Sequence, residues 1–269
     1  KQLTLLAGGY GSASVRILLR LCGFSSNHTV IRWKDTRFGI RLEDIDEAID
    51  WCVDHPQLRC LGVAFHLSEA TQNEKIVAIE NSLVCLQKMQ TRGLPVTTLN
   101  IGGGFRVSYL ASEEEYETYL SRLKEQVLAG DASLTWDKSG LGFRSEGGVL
   151  RGHRIFAESY VGTAGGEELK RLLEAPLPAY QGMSFKQALQ EFLFELWIEP
   201  GRSLLDQVGL TVARVLSVKT SAHGETVVAL DMNRSNLNSG DLSVLMNPTM
   251  VYQEGETTDE APSEQGVFF

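Results

Sequence analysis

Leu99-Asn-Ile-Gly-Gly-Gly-Phe105 and Ile198-Glu-Pro-Gly-Arg202 decide the reading of this chain. Each follows a short apolar run of the kind that forms a buried strand. Each then opens into glycine, where backbone N–H groups can come close to an anion. Three glycines in a row are more than a turn needs, because glycine loses the most backbone entropy on folding. Gly102, Gly103 and Gly104 therefore read as a phosphate cradle, with a flexible turn as the plainer alternative. The second stretch adds Arg202, a planar fork suited to phosphate or carboxylate, beside Glu199. Pro200 fixes the chain after the acid, and Gly201 leaves room for an anion. A buried carboxylate at a strand end can also hold a pyridine nitrogen protonated, and Glu199 reads as one. Alone, this second stretch could be a surface turn with an ordinary ion pair. Together the two loops point to a phosphorylated cofactor held between them.

Outward from these loops the chain alternates. Residues 15–22 read as a buried strand with Arg20 near its C-terminal end, and residues 25–34 as loop. Residues 42–54 carry Leu42, Ile45, Ile49 and Val53 at helical spacing. Residues 58–65 form a second strand ended by His66. Residues 71–92 form a helix with Ile76, Ile79, Leu83 and Leu86 on one stripe and Gly93 as its stop. Residues 95–101 form a third strand that runs into the glycines. Ser112, followed by three glutamates, caps a helix to about Ala129. This order predicts parallel βα units. In a βα barrel, side chains from separate strand ends meet at the C-terminal mouth. That position would gather Arg20, His66, the glycines and Glu199. His66 could stack on a flat ring or carry a proton, or be structural. Arg20 could bind an anionic cofactor oxygen or sit in a rim ion pair.

Further along, Gly147-Gly148 predicts a hairpin. Residues 167–173 and 184–196 read as helices, and Trp197-Ile198 as a short strand. Residues 210–218 and 226–231 are β-rich with no helix between them, which sets a boundary near residue 205. The tail, residues 253–265, is acidic and polar.

The bulk numbers limit the partners. The chain has 269 residues and a net charge of −9, with 43% hydrophobic residues. An acidic surface argues against nucleic acid or an anionic membrane as the main partner. The cluster Arg32, Lys34 and Arg37 has Asp35 inside it and reads as a solvated loop. The four cysteines show no metal-binding spacing, so no metal is expected. They read as buried free thiols in a reducing compartment, the cytoplasm. No apolar run reaches membrane-spanning length, and no signal peptide is visible.

Taken in order, Gly62-Val-Ala-Phe-His-Leu-Ser68, Asn100-Ile-Gly-Gly-Gly-Phe105 and Ile198-Glu-Pro-Gly-Arg-Ser-Leu204 resemble the fold-type III pyridoxal-phosphate-dependent decarboxylases. This is the family of diaminopimelate, ornithine and arginine decarboxylases. Thr36-Arg-Phe-Gly-Ile40, Val215-Leu-Ser-Val-Lys219 and Val227-Val-Ala-Leu-Asp-Met232 resemble further segments of it. The resemblance implies an α/β fold. Residues 1–204 would be part of a (β/α)8 alanine-racemase-like barrel, with an insertion around 136–196. Residues 205–269 would be part of a β-rich C-terminal domain.

The resemblance also implies roles. Gly102, Gly103, Gly104, Gly201 and Arg202 would bind the phosphate of pyridoxal 5'-phosphate, with Ser68 a further candidate. Glu199 would pair with the pyridine nitrogen, His66 would stack on the ring, and Arg20 would lie near the phenolic oxygen. The implied reaction is decarboxylation of an amino acid, the carbanion being stabilised by the cofactor ring, with His66 and Glu199 as the catalytic pair. The implied assembly is a homodimer with the active site at its interface. Three departures qualify this. Nothing matches the family's Schiff-base lysine. The C-terminal cysteine-containing and tyrosine-containing motifs do not appear. His66-Leu-Ser-Glu69 stands where relatives have His, one residue, Gly, then Ser. The expectation is an interior portion of a longer enzyme, inactive by itself. Two other functions fit the same pattern: a catalytically inactive decarboxylase-like regulator acting by protein binding, and a racemase on the same barrel. Glu199 argues against the racemase, which generally places an arginine opposite the ring nitrogen.

Overall fold

The computed structural model describes residues 14–26, 36–68, 70–110, 112–131, 140–155, 160–206, 208–222, 224, 226–233 and 267–268. Arg32, Trp33, Lys34, Asp35, Glu69, Trp136 and the acidic tail lie outside the described residues. In chain order the elements are β1 (Val15–Cys22), β2 (Ile40–Arg41), α1 (Ile45–Asp54), β3 (Leu58–Ala64), α2 (Gln72–Thr91) and β4 (Thr98–Asn100). They continue with α3 (Glu113–Ala129), β5 (Phe143–Glu146), β6 (Val149–Gly152), α4 (Gly165–Glu174), α5 (Phe185–Glu191) and β7 (Glu195–Trp197). The last three are β8 (Val215–Thr220), β9 (Thr226–Leu230) and β10 (Val267–Phe268). Two compact units result: Lys1–Arg106 with Thr163–Asp206, and Val107–Gly162 with Gln207–Phe269.

The first unit is built on a five-stranded parallel sheet in the order β2-β1-β3-β4-β7. From β1 to β7 the neighbours follow chain order. Parallel strands joined in sequence by right-handed crossovers keep all their helices on one face, and that is the winding of a βα barrel. The chain therefore carries part of such a barrel. Register shows which face is which. Leu19, Val63, Leu99 and Leu196 form one row across the sheet. The first three are fully buried, in one core with Ile45, Ile49 and Cys52 of α1 and Ile79, Leu83, Leu86 and Met89 of α2. The next row is Arg20, Ala64, Asn100 and Trp197, all exposed or half-buried. Side chains alternate between faces, so this row lies on the face away from the helices, at the C-terminal ends of the strands.

Local signals explain the helices. Thr71 caps α2 in a capping box with Glu74, satisfying two otherwise orphaned groups. Asp46 of α1 accepts from Lys88 at 2.9 Å and from Arg92 at 2.7 Å, both near the end of α2, and Asp50 meets Arg92 at 2.7 Å. The expected helix over 42–54 is instead a 3-10 turn, Leu42–Asp44, followed by α1. The helix expected over 184–196 stops at Glu191. Leu193 adopts φ +56°, Phe194 N–H bonds Leu189 O at 2.9 Å, and Leu193 N–H bonds Gln190 O at 3.4 Å. This is a Schellman-type stop with leucine in the place glycine usually takes. It lets β7 begin at Glu195, two residues before the strand expected from sequence. The third strand is likewise shorter than expected, only Thr98–Asn100. Leu172, Leu177, Phe185 and Ala188 belong to the same core, so α4 and α5 are integral to this unit.

In the second unit, Ser112 and Glu115 form a capping box at the start of α3. Tyr116, Leu120 and Leu123 of that helix pack with Leu141. β5 and β6 pair antiparallel across Gly147-Gly148, whose φ values of +60° and +76° match a primed hairpin turn. β8 pairs antiparallel with β9, and β10 parallel with β9. Among the described residues, no helix is long and apolar enough to cross a membrane.

Candidate active site

Adjacent strands bring three of the sequence-predicted elements together. β3 delivers His66 and Ser68, β4 delivers the glycines, and β7 delivers Glu199, because β3, β4 and β7 are neighbours in the sheet. The ladder continues past the strand ends. Phe65 N–H donates to Asn100 O at 2.9 Å, Ile101 N–H to Trp197 O at 3.0 Å, and Glu199 N–H to Gly102 O at 2.8 Å. These bonds hold the three segments in register where the side chains meet.

Glu199 is the centre of the cluster. Asn100 Nδ2 donates to Glu199 Oε1 at 2.9 Å, and Glu199 Oε2 lies 3.6 Å from His66 Nδ1. The Glu199 side chain is 58% exposed, not buried as expected from sequence, because it follows β7 at the edge of the sheet. The His66 side chain is 35% exposed, so both present atoms to the open face. His66 Nδ1 accepts from Gly103 N–H at 3.3 Å, and His66 Nε2 lies 3.0 Å from Ser68 Oγ. An accepting Nδ1 fits the tautomer that carries its proton on Nε2 and donates to Ser68.

The glycines have a tighter structural reason than the sequence suggested. A Cβ on Gly102 would stand 2.3 Å from Phe65 O, one on Gly103 2.6 Å from Glu199 O, and one on Gly104 2.5 Å from Leu67 O. Gly102 and Gly104 also have φ of +67° and +77°, a region that favours glycine. The loop threads between the two neighbouring strand ends, and only glycine fits. Two of its N–H groups are committed within the site: Gly102 N–H to Asn100 Oδ1 at 2.8 Å, and Gly103 N–H to His66. Gly201 differs. Its φ is +53°, but a Cβ there would meet nothing within 4 Å. Arg202 follows in a 3-10 turn, Gly201–Leu204, and is exposed.

Arg20 stands further off. It shares a register row with Asn100 but two strands away, roughly 10 Å at the usual strand spacing. Its guanidinium lies 5.5 Å from the centre of the Phe38 ring, and Arg37 lies 4.9 Å from the same ring. Asn100 is the residue that sequence reasoning missed. It orients Glu199 through its amide N–H and caps Gly102 through its oxygen. An asparagine two residues before a glycine, where its oxygen can close an Asx turn on that glycine's N–H, was the available signal.

The cysteines stay apart from this chemistry. All four are buried free thiols. Burial pushes the Cys85 thiol up to about 11.

Comparison with known proteins shows what this chain resembles. Residues 3–135 match the family model described as "Pyridoxal-dependent decarboxylase, pyridoxal binding domain". Diaminopimelate decarboxylase of Synechocystis sp. is 34% identical over 120 residues, which is 42% of this chain and 25% of that protein. An uncharacterised protein of Sinorhizobium fredii is 24% identical over 197 residues, 73% of this chain and 38% of that protein. Helicobacter pylori diaminopimelate decarboxylase, solved in complex with L-lysine, aligns at 18% identity and a TM-score of 0.47, covering 84% of this chain and 43% of that one. The matched region spans well under half the length of each of these relatives.

Proposed function

We propose that this chain, a relative of the fold-type III pyridoxal-phosphate-dependent decarboxylases, is the cofactor-binding portion of an amino-acid decarboxylase. The observation that carries the reading is the meeting of Glu199, His66 and Asn100 at the ends of three adjacent parallel strands. The residues present fit pyridoxal phosphate. Glu199 offers a carboxylate oxygen, Oε2, beyond the one held by Asn100, in the form a protonated pyridine nitrogen needs. His66 offers a flat ring beside it. Gly201 has open space around it, and Arg202 adds an exposed guanidinium suited to a phosphate. Ser68 is tied to His66, so its role is to set the imidazole, and a phosphate contact from it would be secondary. Arg20, two strands from Asn100, is kept as a candidate for the ring's phenolic oxygen.

When bound, the cofactor supplies an electron sink that stabilises the carbanion left when an amino acid loses CO₂. The chain's own residues bind and orient. Glu199 holds a proton at the ring nitrogen, Asn100 fixes the carboxylate, and His66 covers one face. In this account the barrel portion lies within residues 1–204, drawn from Lys1–Arg106 and Thr163–Asp206, and residues 205–269 belong to a β-domain. We place the enzyme in the cytoplasm, which the four free thiols support, and in a homodimer, which the exposed Leu210, Val212, Leu216 and Val218 support.

The test is release of CO₂ from a panel of α-amino acids and meso-diaminopimelate by the full-length protein supplied with pyridoxal phosphate. We expect one substrate to give CO₂ and an amine in equal amounts, and Glu199→Ala to lower the rate by at least about a hundredfold, the scale of losing one electrostatic contact in the transition state. Tight cofactor binding with no CO₂ from any substrate would overturn the decarboxylase reading.

A further inference from the structure

Beneath the glycine loop lies a buried ion pair that the site described above does not use. Lys75 of α2 is 4% exposed. Its Nζ donates to Gly104 O at 3.1 Å and to Glu168 Oε1 of α4 at 2.9 Å. It also lies 4.7 Å from the centre of the Phe105 ring, a cation–π distance. The Glu168 side chain is 12% exposed. Its other oxygen, Oε2, accepts from Arg106 N–H at 3.0 Å and lies 3.6 Å from Arg106 Nε. Gly165 N–H, at the start of α4, donates to Arg106 O at 2.9 Å. Residues 104–106 are therefore gripped at three backbone atoms by α2 and α4.

A buried pair of charges is a weak device for stability alone, because desolvation offsets much of the attraction. This pair is spent on the backbone. Lys75 fixes the carbonyl of the last loop glycine, and Glu168 fixes the amide two residues on. An ammonium enclosed by a carboxylate, a carbonyl and a ring cannot serve as a nucleophilic amine.

We propose that Lys75 and Glu168 are positioning residues for the cofactor phosphate: they lock residues 104–106 so that the glycine loop keeps the conformation that receives the anion. The proposal rests on the preceding reading of the loop as part of a pyridoxal-phosphate site.

The test compares binding of pyridoxal 5'-phosphate and of pyridoxal to the full chain by absorbance titration. The ratio of the two dissociation constants isolates the phosphate contribution. Wild type should favour the phosphorylated form. Lys75→Met and the isosteric Glu168→Gln should each cut that ratio by about tenfold, the scale of one charge-assisted contact, while pyridoxal affinity stays the same. Amide hydrogen exchange at Arg106, whose N–H Glu168 holds, should quicken in both variants without cofactor. If Lys75→Met does not fold, Glu168→Gln decides. A folded variant whose ratio stays within twofold of wild type overturns this inference and leaves the decarboxylase reading standing. A wild-type chain with no preference for the phosphorylated form overturns both.

Discussion

Asn100 Nδ2 donates to Glu199 Oε1 at 2.9 Å, while Oδ1 of the same side chain accepts from Gly102 N–H at 2.8 Å. One amide thus orients the acid that follows β7 and caps the loop that follows β4. A hydrogen bond to an ionised group is worth about 1.5–3 kcal/mol. Asn100→Ala should therefore weaken pyridoxal phosphate binding by about tenfold or more, read by absorbance titration. Asn100→Asp should be worse at neutral pH, since it sets two carboxylates against each other. Equal binding by both variants at neutral pH would remove Asn100 from the site.

The loop glycines make a steric prediction. A Cβ at Gly103 would lie 2.6 Å from Glu199 O and 3.1 Å from His66 Cε1. Gly103→Ala must push apart the two residues that define the site. Gly62 is a second such point, with a Cβ at 1.9 Å from Thr98 O between β3 and β4. Gly62→Ala should destabilise the fold by about 3 kcal/mol or more, in the range of severe overpacking. Gly147→Ala, at φ +60° in open space, should cost only about 1 kcal/mol. Urea unfolding midpoints give the order.

A pH effect follows from the clamp between α1 and α2. The hydrogen bond from Lys88, assisted by the charges of Lys88 and Arg92, holds the Asp46 carboxyl below its usual range. Its pKa is thus lower in the folded chain than in the unfolded one. The stabilisation is present above the unfolded value, about 4, and is lost as the pH falls through the folded value. Asp46→Asn should flatten the acid limb of the stability profile and leave its alkaline limb unchanged. An acid limb as steep as wild type would contradict this assignment.

Thiol labelling tests the core. Burial lifts the Cys85 thiol to about 11, and all four cysteines are buried. The thiolate is the reactive form. Iodoacetamide at pH 8 should label none of the four in the native chain and all four in denaturant, counted by mass spectrometry.

Much of the fold was legible because periodicity and capping agreed. The apolar stripe over 71–92 and Ser112 followed by three glutamates marked helices that the structure keeps, and β1 falls on the residues expected. The misplaced helix end shows the limit. Leu193 takes the left-handed conformation without being glycine, and nothing local in Leu-Phe-Glu-Leu-Trp announces it; the buried Phe194 nearby points to packing as the cause. The site was legible as a set of loops, since Gly-Gly-Gly and Glu-Pro-Gly-Arg are conspicuous. Its internal bonds were not. Asn100 looked like part of a strand, and Lys75 and Glu168 are 93 residues apart, a pairing no local pattern encodes. The reason for the glycines also shifted. Close passage past Phe65 O, Leu67 O and Glu199 O requires them before any anion is considered.

The most direct measurement is a crystal structure of the full chain grown with pyridoxal 5'-phosphate. The account predicts the pyridine nitrogen within hydrogen-bond distance of Glu199 Oε2, the ring against His66, and the phosphate at Gly102–Gly104 and Gly201-Arg202. A cofactor seated elsewhere, or one whose ring nitrogen faces water while Glu199 bonds only Asn100, would contradict it.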